Sequence, residues 1–248
     1  MRPTLLLGGT TEASRLAAAM AARGSPAIFS YAGRVEAPRP QPLPTRVGGF
    51  GGAEGLARFL REEGIGRVVD ATHPFAAQIS RNAAQACAEV GIPLLSFERP
   101  PWSPAPGDDW TEVPDLPAAA EALREARPER VFLAIGRQNL ELFAQAPQHD
   151  YLLRLVDAPE APPPLPRAGI VIARGPFTPE GDLELLRRHG TTKILAKNAG
   201  GFGAEAKLTA ARRLGLPVLL VARPEAPERP RVAEVEEAMD WIHADLGV

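Results

Sequence analysis

The sequence has a single cysteine, four histidines and almost no net charge. One cysteine, Cys87, excludes an intrachain disulfide framework and fits a reducing compartment. With a net charge of −2, the protein as a whole does not attract nucleic acid or anionic lipid electrostatically. The histidines lack metal-ligand spacing, so no metal site is expected. No apolar run reaches the length of a membrane span, and the N-terminal one is too short for a secretory signal. We therefore expect a cytoplasmic protein that binds neither nucleic acid nor membrane.

Proline is abundant, and its 27 copies concentrate between apolar segments. The proline-rich stretches 36–44, 98–107, 159–167 and 224–230 are typical of rigid connectors. Hydrophobic periodicity predicts strands near 4–7, 27–31, 67–70, 94–97, 111–113, 131–135, 151–155, 168–173, 193–196 and 218–221. It predicts helices near 12–23, 53–63, 75–90, 139–145, 178–188, 203–214 and 234–245. This alternation indicates an α/β protein with parallel sheets flanked by helices.

The two halves of the chain resemble each other. Residues 91–100 (GIPLLSFERP) align without a gap with residues 215–224 (GLPVLLVARP), and each segment leaves a strand through Arg-Pro. The strand ending at Asp70 corresponds to the one ending at Ala196, and the first strand corresponds to the strand at 131–135. We infer two Rossmann-like domains related by duplication, with a cleft between them. We assign residues 1–100 to an N-terminal nucleotide-binding domain and residues 101–248 to a C-terminal domain on the substrate side.

A glycine turn follows the first strand and precedes a helix with an apolar face. This arrangement holds nucleotide phosphates in many α/β proteins, because glycines let backbone amides approach an anion at a helix N-terminus. A glycine turn without a ligand is the alternative. The predicted cofactor contacts here are Gly8, Gly9, Thr10, Thr11, Glu12 and Ala13.

The end of the second strand bears on which dinucleotide binds. An NAD site usually has a carboxylate there, about 20 residues after the glycines. Residues 28–34 contain none, whereas Ser30 and Arg34 could hold a 2′-phosphate. The sequence therefore favours NADPH, with NADH as an alternative; in the contrary interpretation Arg34 is a solvated loop residue.

The strand ends of the second half carry cations. Arg137, Arg174 and Lys197 each follow a predicted strand, where ligands of parallel sheets bind. Guanidinium and ammonium groups suit a substrate with several carboxylates or phosphates. Arg137 could instead pair with Glu141.

Six motifs together resemble the precorrin-6A reductase family over essentially the whole chain. They are Gly8-Gly9-Thr10-x-Glu12-Ala13, Gly33-Arg34, the glycine-rich run 48–52, residues 70–76 (DATHPFA), Gly175-Pro176-Phe177 and Lys197-Asn198-x-Gly200. The resemblance implies a reductase of cobalamin (vitamin B12) biosynthesis that reduces a macrocycle double bond with a nicotinamide nucleotide. Its substrate would be metal-free precorrin-6A or cobalt-precorrin-6A.

This resemblance extends the candidate site. It adds Gly33, Thr72, His73 and Pro74 to the predicted cofactor contacts. A polycarboxylate tetrapyrrole would bind to Arg137, Arg174, Lys197, Asn198, Gly200 and Lys207. Lys207 lies on a helix flank, where a solvated lysine is the alternative. His73 is the candidate proton donor, or it only lines the nicotinamide pocket.

Two other functions remain open from the residues alone. One is a non-redox transferase or lyase that uses the glycine loop for a phosphorylated or nucleotide-sugar substrate. The other is a non-catalytic nucleotide-sensing module. For each function we expect a monomer or a small homo-oligomer.

Overall fold

A computed structural model describes residues 2–33 and 38–244 of the chain. The chain divides into two compact units. Unit 1 comprises residues 1–100 together with 225–248, and unit 2 comprises residues 101–224. No helix of the described ranges has both the length and the apolar character needed to cross a membrane.

Unit 1 contains a six-stranded sheet with helices on both faces. Its strands are β1 (Thr4–Leu7), β2 (Ala27–Tyr31), β3 (Thr45–Val47), β4 (Arg67–Asp70), β5 (Leu94–Phe97) and β12 (Arg231–Val232). Its helices are α1 (Thr11–Ala22), α2 (Gly52–Glu62), α3 (Ala77–Val90) and α7 (Val235–His243). The strand order is β12-β5-β4-β1-β2-β3, and every neighbouring pair is parallel.

Unit 2 repeats this architecture. Its strands are β6 (Trp110–Val113), β7 (Arg130–Ala134), β8 (Asp150–Leu155), β9 (Ala168–Ile172), β10 (Lys193–Lys197) and β11 (Val218–Val221). Its helices are α4 (Leu116–Glu125), α5 (Pro179–His189) and α6 (Ala206–Leu214), with 3₁₀ helices at Leu140–Gln145 and Phe202–Ala204. The order β6-β11-β10-β7-β8-β9 is again fully parallel.

The two sheets confirm the predicted fold class. The strand order of each sheet is that of a doubly wound dinucleotide-binding fold, when it is counted from β3 in unit 1 and from β9 in unit 2. β5 and β11 occupy matching positions, as do β4 and β10, and β1 and β7. These are the correspondences that the internal sequence similarity predicts.

The buried first strand shows how the sequence forms the layers of unit 1. Leu6 packs on the face covered by α1 and α7, while Leu5 and Leu7 pack against α2 and α3. In α1 the residues Ala13, Leu16, Ala17 and Met20 recur at helical spacing, and all four are fully buried. Three consecutive leucines occur in this strand because both its faces are covered.

The C-terminal segment corrects the predicted domain boundary. Residues 225–248, assigned above to the C-terminal domain, belong to unit 1. β12 pairs with β5, and α7 places Val235, Met239 and Ile242 in the core cluster that contains Leu16 of α1. Apolar burial against α1 thus holds the segment in unit 1.

Several elements differ from the sequence prediction. β3, β12 and α4 were not predicted, and the predicted helix 139–145 is a 3₁₀ helix. The predicted helix 203–214 divides into the 3₁₀ helix Phe202–Ala204 and α6.

Candidate active site

The strand order of unit 1 reverses between β1 and β4, and the loops after these strands meet there. Ligands of open parallel sheets bind at such a point, beyond the carboxyl ends of the strands. Thr10 Oγ1 donates to the carbonyl oxygen of Ala71 at 2.9 Å, so one hydrogen bond joins the two loops. Thr10 Oγ1 also accepts a hydrogen bond from Ala13 N at 3.1 Å and thereby caps α1.

The two glycines of the first loop are needed for different reasons. A Cβ at Gly8 would lie 2.1 Å from Cζ of the buried Phe29, so packing requires glycine there. Gly9 has φ +121°, and a Cβ there would have no atom within 4 Å. The space beside Gly9 is therefore open, at the end of α1 that carries the positive helix dipole. This geometry fits a bound pyrophosphate.

Glu12 lies in the first turn of α1 and is paired. Its carboxylate is 2.5 Å from Arg99 Nη1, and both side chains are more than four-fifths buried. An unpaired carboxylate here would repel a phosphate, and the arginine offsets its charge. Thr11, the first residue of this turn, is exposed.

The end of β2 reveals a cation that the sequence analysis missed. Arg46, in β3, donates from Nη1 to Ser30 Oγ at 2.7 Å and to the carbonyl of Gly48 at 2.9 Å. Its guanidinium carbon lies 3.9 Å from the centroid of the Phe50 ring. Burial lowers the pKa of this guanidinium from its usual value, but an arginine stays protonated at neutral pH. The sequence signal was a basic residue just before the glycine run 48–52.

Two further predicted contacts lie near the end of β2. Gly33 has φ +75°, and its position approaches the backbone of Gly48. Arg34, the predicted ligand of a 2′-phosphate, lies outside the described residues.

Asp70, at the end of β4, is the centre of a buried polar network. Its Oδ1 accepts from Thr72 N at 3.1 Å and from Thr72 Oγ1 at 2.6 Å. Its Oδ2 accepts from Ser80 Oγ at 2.6 Å and from Arg229 Nη2 at 2.9 Å. One of these donors, Thr72 N, is a backbone amide of the loop that follows β4. Arg229 was missed because it comes from the C-terminal segment.

His73 lies in an exposed turn before α3, not inside the helix. Its Nδ1 accepts from Phe75 N at 3.2 Å, and its carbonyl accepts from Ala76 N at 2.7 Å. Because Nδ1 is the acceptor, the neutral ring carries its proton on Nε2. Pro74 follows within the same turn.

Three of the four predicted cations of unit 2 lie at the carboxyl ends of its strands or in the loops that follow them. Lys197 ends β10, and its Nζ donates to the carbonyl of Ile135 after β7 at 3.4 Å. Arg137 is exposed in the loop after β7. Arg174 is exposed after β9, with Nη2 3.6 Å from a carboxylate oxygen of Asp157. This edge therefore carries three positive charges.

Asn198 and Lys207 are buried, unlike the cations at this edge. Asn198 accepts from Trp102 N at 2.8 Å and donates to Trp102 O at 3.1 Å. Lys207 is 4% exposed, donates to the carbonyl of Ala204, and has Nζ 4.8 Å from the Trp102 ring centroid. The solvated alternative for Lys207 is therefore wrong. Both side chains hold the loop that contains Gly200, which has φ +68°.

Within residues 2–33 and 38–244, no three His, Cys, Asp or Glu side chains come together as a metal site would require. Cys87 is buried in α3, where burial and the Asp70 charge raise the pKa of its thiol to about 12.

Comparisons with known proteins agree on one family. A family model described as "Precorrin-6x reductase CbiJ/CobK" matches residues 4–243. The precorrin-6A reductase of Rhodobacter capsulatus is 62% identical over 247 residues, covering 100% of this chain and 98% of the relative. The precorrin-6A reductase of Mycobacterium tuberculosis is 42% identical, with 98% of each chain covered.

A more distant relative and a solved structure complete the comparison. The cobalt-precorrin-6A reductase of Priestia megaterium is 31% identical, covering 89% of this chain and 90% of the relative. A solved structure of CobK precorrin-6A reductase has a TM-score of 0.93 at 61% identity. It covers 98% of this chain and 96% of that structure.

Proposed function

The chain belongs to the precorrin-6x reductase family, oxidoreductases of cobalamin biosynthesis, and on this premise we propose that it reduces precorrin-6A with hydride from NADPH. Membership favours the reductase over the transferase, lyase and sensing alternatives. The observation that carries the choice of nucleotide is the Arg46–Ser30 contact at the end of β2. A cation in this position favours a 2′-phosphate, whereas an NAD site would present a carboxylate.

The residues of unit 1 fit the rest of the dinucleotide. The open space beside Gly9, at the N-terminus of α1, suits the pyrophosphate. The turn Thr72–Pro74 follows β4, across the strand reversal from β2, and suits the nicotinamide end. The Asp70 network fixes Thr72 and thereby the start of this turn.

Catalysis then requires orientation and a proton. When bound, the nicotinamide supplies the hydride, and a carbon of the macrocycle must also gain a proton. His73 lies in an exposed turn, so its ring can line the nicotinamide site. Once protonated to the imidazolium, the ring can donate a proton to the substrate and return to the neutral form. Solvent also reaches this turn and provides a second proton source.

The substrate side is assigned to unit 2. Arg137, Arg174 and Lys197 provide positive charge for the carboxylate arms of a precorrin. The loop after β10 contributes through its shape, which depends on Asn198, Gly200 and Lys207. The side chains of Asn198 and Lys207 make hydrogen bonds to Trp102 and Ala204 of the same unit. The higher identity to precorrin-6A reductases, 62% against 31% for a cobalt-precorrin-6A reductase, favours the metal-free substrate.

The proposal is tested by combining substrate and nucleotide in four assays. Purified protein is incubated with precorrin-6A or cobalt-precorrin-6A, each with NADPH or NADH, and nucleotide oxidation is followed by absorbance. We expect the highest kcat/KM with precorrin-6A and NADPH, and no oxidation without a tetrapyrrole. Failure to oxidise NADPH with either tetrapyrrole would refute the activity.

Arg46 provides a sharper test of nucleotide choice. A hydrogen bond to a charged group contributes about 1.5–3 kcal/mol, so Arg46→Ala should lower kcat/KM for NADPH about 10- to 100-fold. The effect on NADH should be much smaller. Arg39→Ala is a matched control, since Arg39 is an exposed arginine of the proline-rich connector that precedes β3. Equal losses with both nucleotides would exclude Arg46 from the 2′-phosphate site.

A further inference from the structure

Phe202 is the most exposed of the large apolar side chains in the described residues. Its relative exposure is 92%, whereas the next, Val47, is 54% exposed. It begins the 3₁₀ helix Phe202–Ala204, with Gly201 before it and Gly203 after it. A phenyl ring in water gives up the stabilisation that burial provides. A single exposed ring is not unusual, so its surroundings decide what it means.

The loop around Phe202 is held firmly, although the ring is not buried. Three side chains of unit 2 bind its carbonyls: Arg223 binds Asn198 O and Ala199 O at 3.0 and 3.1 Å, Trp102 binds Gly201 O at 2.9 Å, and Lys207 binds Ala204 O. These contacts lie on both sides of Phe202. The exposure is therefore a property of an ordered loop and not of a loosely placed one.

The position of the ring points to its ligand. The loop follows β10, next to the reversal of strand order between β10 and β7, where ligands of such sheets bind. Lys197 and the loop carrying Arg137 lie at the same reversal, joined through Lys197 Nζ and Ile135 O. An exposed aromatic face in the loop that follows the cation Lys197 suits a conjugated ring that carries carboxylates.

We propose that the ring of Phe202 stacks on the conjugated face of the polycarboxylate tetrapyrrole and sets its position on unit 2. This inference rests on the proposed function and adds a substrate-binding residue to it. The side chains of Asn198, Trp102 and Lys207 then serve as positioning groups that keep the ring presented.

The test compares Phe202→Ala, Phe202→Trp and the wild type with precorrin-6A. Tetrapyrrole affinity is measured by ultrafiltration without nucleotide, and KM and kcat are measured with saturating NADPH. Stacking and apolar contact together correspond to about a tenfold change, so Phe202→Ala should raise Kd and KM for precorrin-6A about tenfold. Phe202→Trp should stay within about threefold of the wild type, because its indole offers the same kind of face.

The controls separate this inference from the proposed function. Ile170→Ala removes another partly exposed apolar side chain of unit 2, in edge strand β9, and should leave both constants unchanged. If the wild type is active and Phe202→Ala has the same Kd and KM for precorrin-6A, the stacking role is refuted and the proposed function stands. A wild type that binds precorrin-6A without turnover overturns the activity, and the Kd comparison still decides the role of Phe202. A wild type that does not bind precorrin-6A overturns both.

Discussion

Removing Arg229 should destabilise the protein strongly, because this residue is the cation of a buried ion pair. The side chains of Asp70 and Arg229 are 2% and 6% exposed, and Nη2 lies 2.9 Å from Oδ2. The same Nη2 is 3.3 Å from Ser96 Oγ. Arg229→Met fills similar space but leaves a buried carboxylate without its cation. Breaking such a pair costs about 3–5 kcal/mol.

The contacts that remain place the expected cost at the lower end of this range. Asp70 keeps its hydrogen bonds from Thr72 and Ser80. In addition, Nε and Nη1 of Arg229 are buried and have no hydrogen-bond partner among the described residues, so their removal relieves a penalty. We therefore expect a loss of about 3 kcal/mol, which for a chain of this size lowers Tm by roughly 6–12 °C.

The assay is urea and thermal unfolding of three variants. Arg231→Met is the matched control, because Arg231 lies two residues away and pairs with Glu98 while 59% exposed. Breaking this surface pair should cost no more than about 1 kcal/mol. Asp70→Asn combined with Arg229→Met removes both charges and should recover part of the loss. If Arg229→Met and Arg231→Met lowered the free energy of unfolding by the same small amount, the stabilising role of the buried Asp70–Arg229 pair would be refuted.

Three further predictions follow from single positions. Gly9→Ala should weaken NADPH binding in an equilibrium titration, because it strains a backbone with φ +121° and puts a Cβ into the open space; unchanged affinity would contradict the loop's role. Burial raises the pKa of the Cys87 thiol from 9.0 to about 12, so the stability linked to it is complete below pH 9 and is lost as the pH rises towards 12. A thiol reagent at pH 8 should accordingly label Cys87 only after denaturation, and rapid labelling of folded protein would count against its burial. His73→Ala should lower kcat by less than about tenfold because solvent reaches the turn, whereas a loss of about 10²–10⁴ with intact NADPH affinity would identify the imidazole as the proton donor.

The architecture could be predicted from sequence wherever an element is buried. β11 and the last three residues of β1 are apolar because both faces of these strands are covered, and the buried residues of α1 recur at helical spacing. β3 could not be predicted in this way, because its three residues are at least partly exposed and follow a proline-rich connector. α4 was missed despite the capping Asp115 and a proline in its first turn, since the segment has only two fully buried residues.

The candidate site could be predicted where a residue follows its own strand in the chain. The glycine loop directly follows β1, and Lys197 is the last residue of β10. Arg46 and Arg229 could not be predicted in this way, because each meets its partner through strand pairing that local patterns do not encode. Arg46 reaches Ser30 because β3 pairs with β2, and Arg229 reaches Asp70 because β12 pairs with β5.

The internal repeat explains why the C-terminal segment returns to unit 1. After β5 the chain continues into β6, which joins β11 in the sheet of unit 2, and after β11 it continues into β12, which joins β5 in the sheet of unit 1. Each duplicated half therefore contributes its sixth strand and the following helix to the other sheet. The repeated Arg-Pro junctions lie where these exchanges begin, and the arginines of the two junctions make different contacts. Arg99 pairs with Glu12 at the predicted phosphate loop, whereas Arg223 binds the carbonyls of the loop that presents Phe202. One inherited position thus supports the proposed nucleotide edge in unit 1 and the proposed tetrapyrrole edge in unit 2.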